Sequence, residues 1–360
     1  MKRNLGLLFL LGWMAGCGTH GEDSISSNPP VRLRELLIIP NFAANSVTIK
    51  SVNLEDGTSS VLGNPVPSAG THPLIARSHP NVKVFYVVNR DSNVITQFTL
   101  DENGNARLIS SIACPNQTQL FVVHPSGGWA YAGGGTSLRT YAISSSGVLS
   151  VQGADATLAG EPGWDADFSR NGTALHVPEL GQLQSFPVAV GVLGTPITTP
   201  LASNADRAVD LDLRPGGTSI AVAVQGNDSI RAYTLGNNGF PNTLTVQNLT
   251  FRPATADFAD NGQYYLGENG SPSVHAFQSN PSGVLSELAD SPLVLSGTGG
   301  AYFNALDLTE KLVFSTDGNA NNRLDVRLRQ ADGRLIGSSS DTQGLNVPGQ
   351  FAFMLFLTPQ

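Results

Sequence analysis

A turn that keeps returning constrains this chain more than any other feature of it. The motif appears as Pro125-Ser126-Gly127, Arg170-Asn171-Gly172, Pro215-Gly216-Gly217 and Asp260-Asn261-Gly262, and the last glycine of each copy stands 45 residues after the one before. An apolar run precedes each copy, as in Leu120 to His124 and Val209 to Arg214, and another follows, as in Trp129 to Ala132 and Ser219 to Val224. A second marker is an aromatic that closes a later strand: Phe98, Tyr141, Phe186, Tyr233 and Phe277. A third is a glycine just beyond it, at Gly57, Gly104, Gly147, Gly191, Gly239, Gly283 and Gly333, and this marker counts seven units. Glycine suits such turns because it takes positive φ without steric cost.

Each unit therefore reads as four strands joined by tight turns. A four-stranded twisted sheet has two faces and can bury neither alone. Repeated radially, each sheet packs on its neighbours and the ring closes. A period near 45 suits a propeller blade and not a leucine-rich or helical repeat. No sustained helical periodicity follows the first segment of the chain. The expected fold is all-β: a seven-bladed β-propeller with four antiparallel strands per blade. Composition agrees, with 39 Gly, 22 Pro and only 13% charged residues in 360, as many short strands and turns require.

The two ends predict how the ring shuts. Leu36-Leu37-Ile38-Ile39 matches the second strand of a unit, and Phe351 to Leu357 matches a first, innermost strand. The C-terminal strand is expected to join the N-terminal three in one shared blade, which removes two exposed edges.

The chain opens on Lys2 and Arg3, then a compact apolar run from Leu5 to Trp13, then Ala15 and Gly16 before Cys17. That run is too short to span a bilayer and reads as an export signal. Met14-Ala15-Gly16-Cys17 resembles a bacterial lipobox. The resemblance implies that Cys17 becomes a lipidated N-terminus, anchored to a membrane without crossing it. Gly18 is not the Asp that retains such proteins at the inner membrane, which implies the outer membrane. The expected division is a signal peptide over 1–16, lipidated Cys17 with a flexible tether over 17–35, and the propeller over 36–360. With Cys17 so used, Cys114 is expected to be a buried core thiol.

Within the repeats, Val84-Phe85-Tyr86-Val87-Val88-Asn89-Arg90 and Val122-Val123-His124-Pro125-Ser126-Gly127 resemble elements of the lactonase-type seven-bladed propellers. The resemblance covers roughly residues 36 to 357. Those lactonases open one inner strand on Pro-Arg-His and end the following strand on Asn-Glu-Leu. Here the first element corresponds to Glu161-Pro162-Gly163-Trp164-Asp165-Ala166-Asp167-Phe168, without Arg or His, and the second survives as Pro178-Glu179-Leu180. The resemblance thus carries over one catalytic candidate, Glu179.

Loops entering the innermost strands and loops after the second strands share one face beside the axis. They place His72, Trp164, Asp165, Arg207, Arg252 and Tyr302 in one set, and Arg90, Glu179, Asp228, Glu268 and Asp317 in the other. Of these, Arg90, Trp164, Asp165, Arg207 and Glu268 are the candidates for holding a polar ligand. Asp167, Asp212, Asp257 and Asp307 are expected to recur at one place in four inner strands, as scaffold residues accepting backbone hydrogen bonds. Asp317-Gly318-Asn319-Ala320-Asn321-Asn322 echoes a calcium loop but reads as a hairpin turn. The six His show no paired metal spacing, no haem-attachment motif exists, and neither a phosphate loop nor a Gly-x-Ser-x-Gly elbow is present. No metal or other cofactor is expected. The formal charge of −8 argues against nucleic acid and against adhesion to anionic lipid through charge.

The leading expectation is an envelope lipoprotein whose propeller binds a small molecule or an envelope protein. The alternatives are a lactonase-like hydrolase of an exported, non-phosphorylated lactone or sugar acid, and a scaffold in an envelope complex. A ring with covered edges is expected to be a monomer.

Overall fold

The structure, a computed structural model, describes residues 31–295, 299–317 and 322–359, with the backbone alone at 31–33, 317, 338 and 356–359. The expected leader, Cys17 and most of the tether lie outside these residues, as do positions 318–321 of the calcium-like turn. The described residues form seven antiparallel sheets, six of them running outward in chain order from the axis, and they contain no helix. We count blades from the first continuous one, Pro73–Ser78, Val84–Asn89, Val94–Leu100 and Ala106–Ala113. The innermost strands of the next five are Thr118–Val123, Asp167–Phe168, Arg207–Leu213, Pro253–Phe258 and Ala301–Leu306. Blade 7 is shared: Ala352–Pro359 is innermost, followed outward by Val31–Asn41, Ser46–Val52 and Ser59–Val61.

The closure follows the expectation, and its register runs from Val31↔Pro359 to Ile38↔Ala352. The first strand nevertheless starts at Val31, inside the stretch that composition assigns to the tether. Its partner is the C-terminal strand, which local polarity does not reveal. All seven marker glycines have positive φ, between 74° and 89°. Gly191 shows a second reason for the residue: a Cβ there would come within 2.0 Å of the Trp129 ring.

There is no single core. Apolar side chains form clusters between adjacent blades, such as Leu36, Ile38, Ala76, Phe85, Phe98 and Met354 between blades 7 and 1. Polar staples repeat across the same seams. Tyr86, Tyr131 and Tyr265 each donate to a glycine carbonyl of the next blade, at Gly147, Gly191 and Gly333, over 2.8 to 2.9 Å. Burial of these phenols pushes their ionisation up, out of the physiological range.

The innermost strands border the axis and would leave edge N–H groups unpaired. Aspartates of the preceding blade satisfy them. Asp167 accepts from Leu213 N at 3.0 Å, Asp212 from Phe258 N at 2.5 Å, and Asp257 from Leu306 N at 2.9 Å. The scaffold reading of these three agrees with the geometry. Asp307 does not belong with them. The hairpin after the inner strand of blade 6 closes on Leu306↔Val313 with the same span as Phe168↔Leu175 and Leu213↔Ile220, so Ala305 holds the place of Asp167 and Asp212, and Asp307, two residues further on, accepts from Leu312 N within its own hairpin at 2.7 Å. Cys114 is buried, and burial pushes its thiol up to about 11, so it stays protonated at neutral pH.

Candidate functional site

Loops leading into the innermost strands open on one face, the mouth. Turns from first to second strands lie on the other, the turn face. Glu161 to Asp165 form the loop into blade 3. Gly163 lets that loop lie against blade 4: a Cβ there would meet Ala208 O at 2.7 Å. Trp164 is held on both sides, its N donating to Val209 O at 2.7 Å and its carbonyl accepting from Gln350 Nε2 at 2.9 Å.

The indole of Trp164 reaches across the axis to blade 6. Its ring centroid lies 6.4 Å from that of Tyr302 and 6.0 Å from that of Phe303, with Phe303 edge-on. The Arg207 guanidinium sits 5.8 Å from the indole centroid and 3.5 Å from Glu161 Oε1. Gln119 Nε2 donates to the same Glu161 oxygen at 2.8 Å. Both charged groups keep contact with solvent, Glu161 at 54% and Arg207 at 37% side-chain exposure. The mouth thus combines an apolar platform, a guanidinium and an accessible carboxylate.

Below the indole, Arg77 joins three blades. It meets Asp165 Oδ2 at 3.0 Å and donates to Gln350 Oε1 at 2.9 Å. Asp210 is buried near Asp165; burial first, and that neighbouring charge second, push its carboxyl well up. A cavity of about 370 Å³ runs from Arg77 and Asp165 along the axis to the turn face, where Lys83, Pro125 and Leu308 border it.

Of the expected ligand-binding residues, Trp164, Asp165 and Arg207 come together at the axis. Arg90 packs instead over Phe42 at the seam of blades 7 and 1, 4.9 Å from the ring centroid, and binds Asp91 at 2.8 Å. Glu268 lies in blade 5, 3.5 Å from a His275 ring that stacks on Phe251. The side chain of Asp317 is outside the described residues.

Glu179 is fully buried, and its Oε2 accepts from Gly160 N at 2.8 Å and Gln182 Nε2 at 3.0 Å. Its Oε1 has no hydrogen-bond partner among the described residues. Polar residues end the second strand in other blades too, and they hold the chain that enters an inner strand, of the same blade for Asn89 and of the next blade for Gln225. Asn89 Nδ2 reaches Ser68 O at 3.4 Å, and Gln225 Nε2 reaches Pro253 O at 2.7 Å. Glu179 is the blade 3 version of this device, turned toward the entering loop. Sequence reading passed over Glu161, Gln119, Arg77 and Gln350. For Glu161 a signal existed, since it opens the stretch that departs from the lactonase pattern.

Burial pushes the Glu179 carboxyl up to about 7, against the opposing pull of Gln182 and the Gly160 N–H. A folded-state value above the unfolded one favours the protonated form. Wild-type stability should therefore fall as pH rises from about 4.5 to about 7 and then level off. Glu179→Gln removes that dependence. It is expected to match wild type at pH 4 and to exceed it by about 2 kcal/mol at pH 8, measured by urea unfolding across the range. A constant difference at all pH values would contradict the buried, protonated carboxyl.

No known protein family's sequence model matches the chain, and neither does any curated protein sequence. Solved structures do match. The periplasmic gluconolactonase of Pseudomonas aeruginosa superposes with a TM-score of 0.75 at 16% identity, over 91% of this chain and 100% of that one. A Lactobacillus plantarum protein gives 0.77 at 15% identity, over 89% and 99%. A Bacteroides uniformis protein provisionally named 6-phosphogluconolactonase gives 0.75 at 13%, again over 89% and 99%. At these identities the likeness is one of fold, and the fold is a seven-bladed β-propeller.

Proposed function

We propose that this propeller is a lactonase-like hydrolase, which binds a non-phosphorylated sugar lactone at the axis and opens it to the sugar acid. The observation that carries the reading is the Glu161–Arg207 pair beside the Trp164 indole at the mouth. An indole face suits the apolar side of a sugar ring. An accessible carboxylate can take a proton from water, and a guanidinium can face the oxygen on which charge develops. Glu161 removes a water proton as the hydroxide adds to the lactone carbonyl, and Arg207 faces the resulting oxyanion. Collapse breaks the ring C–O bond, and the leaving alkoxide takes the proton back from Glu161. A phosphorylated substrate fits less well, because the guanidinium beside the indole already shares its charge with Glu161. The likeness of fold to structures named as gluconolactonases supports this substrate class.

A second reading, binding without turnover, draws on Glu179. The carboxylate that the lactonase resemblance singles out serves the scaffold here. On either reading we place the chain in the cell envelope, exported by residues 1–16 and anchored through lipid on Cys17. The lipobox-like sequence and a periplasmic fold neighbour support that placement.

Ligand binding can be read from the protein's own fluorescence. Titration with a non-phosphorylated aldonic acid should change tryptophan emission saturably in wild type, and Trp164→Phe should abolish the change while leaving Trp129 emission in place. No saturable change with any aldonic acid or aldonolactone would remove the ligand class.

A further inference from the structure

The direction of one strand fixes how the anchored protein stands on its membrane. Val31–Asn41 runs from the turn face toward the mouth, so the chain that precedes it leaves from the turn face. The departure point is well outside the ring. In blade 1 the hairpin closes just past the pair Ser78↔Phe85. In blade 7 the equivalent pair is Leu37↔Phe353, yet pairing continues through Leu36↔Met354 to Val31↔Pro359. At the usual strand rise that two-stranded ribbon projects about 15–20 Å beyond the other hairpins.

Thirteen residues, Gly18 to Pro30, separate Cys17 from the ribbon tip. A chain of that length spans at most about 45 Å. The mouth lies a blade height plus the ribbon away, about 40 Å at the strand rise. Bringing the mouth to the anchoring bilayer would stretch the tether almost to its limit, whereas the turn face is reached by a relaxed one.

We propose that the turn face lies toward the surface of the anchoring bilayer, and that the mouth with Trp164, Arg207 and Glu161 points away from it. The proposal depends on the lipid-anchored reading of Cys17, and it gives the mouth access to ligands from the aqueous side.

The test separates orientation from lipidation. The chain from residue 18 is held by an N-terminal hexahistidine tag on vesicles containing nickel-chelating lipid and an acceptor dye in the headgroup region. A donor is placed at Glu102→Cys, in a turn-face loop, or at Asn204→Cys, beside the mouth. Energy transfer from position 102 is expected to be at least about twofold greater. Equal or reversed transfer would overturn the orientation. Lipidation is read independently, from the mass of the Cys17 peptide in membrane fractions. An unmodified Cys17 would overturn the anchor without touching the vesicle result.

Discussion

A chain ending before Ala352 is expected to be insoluble or protease-sensitive, whereas one lacking residues 18–30 should melt with the intact mature protein. The C-terminal strand is the innermost element of blade 7 and pairs with eight residues of the first strand. Removing it deletes Phe353 and Met354, which are 6% and 4% exposed and belong to the clusters on either side of that blade. Large-to-small core changes cost about 3–5 kcal/mol each, so losing the two approaches the roughly 5–15 kcal/mol stability of a whole domain. The deletion also bares the edge of Val31–Asn41 along the axis, where it invites pairing with other chains. The N-terminal deletion touches no described residue and should shift stability by less than about 0.5 kcal/mol. Limited proteolysis and thermal melting decide both.

Lys50→Met should be nearly as severe as any single change to the molecule. Lys50 is fully buried in blade 7, and its ammonium meets Asp341 of blade 6 at 2.6 Å. Ser59 donates to the same Asp341 oxygen at 2.9 Å. Burial pushes the Asp341 carboxyl up, but Lys50, the Gln343 N–H and Ser59 together hold it below the usual carboxylate range. Removing the ammonium leaves a partly buried carboxylate, 16% exposed, without its counter-charge, which costs up to about 3 kcal/mol. Lys50→Met combined with Asp341→Leu should recover part of the loss, because two apolar groups restore the balance. A folded-state value below the unfolded one also means that the bridge stabilises the fold above about pH 4 and is lost as pH falls further. The acid limb of the unfolding curve should therefore flatten in the double variant. Equal destabilisation by the single and double changes would show that packing, and not charge, carries the effect.

These two effects lie in the part of the molecule that sequence makes visible. Repetition is legible because the blades solve the same problem with recurring residues: glycines at positive φ in all seven, and in blades 3 to 5 aspartates that satisfy edge N–H groups. The circular closure is legible because both ends carry apolar strands of opposite kind. Two details escaped the pattern. Asp307 looks periodic, yet it aligns with Ser169 and Arg214 in the turn, two residues past the aspartate position that Ala305 fills in blade 6. The stretch from Val31 to Glu35 is polar enough to read as tether, because its strand partner stands at the far end of the chain, at Leu355 to Pro359.

The site is less legible for the opposite reason. A binding group breaks the symmetry of the ring, so no repeat announces it. Arg77 occupies in blade 1 the place that Asp167, Asp212 and Asp257 hold in blades 3 to 5. The exchange of a carboxylate for a guanidinium marks where the axis is specialised, but the register must be known before it can be seen. Glu179 illustrates the converse. It matches a family element by sequence, and its geometry matches the loop-holding role of Asn89 and Gln225. Glu161 and Gln119 lie 42 residues apart in the chain and meet only because blades 2 and 3 are neighbours.

Hydrolysis of a non-phosphorylated aldonolactone, followed at pH 7 by acid release with wild type and Glu161→Gln side by side, probes the proposed role most directly. The expected result is turnover by wild type and a loss of about 10²–10⁴-fold in the variant, with unchanged melting temperature and retained binding of the aldonic acid. Equal rates in the two proteins, or no turnover by wild type on any aldonolactone, would contradict it.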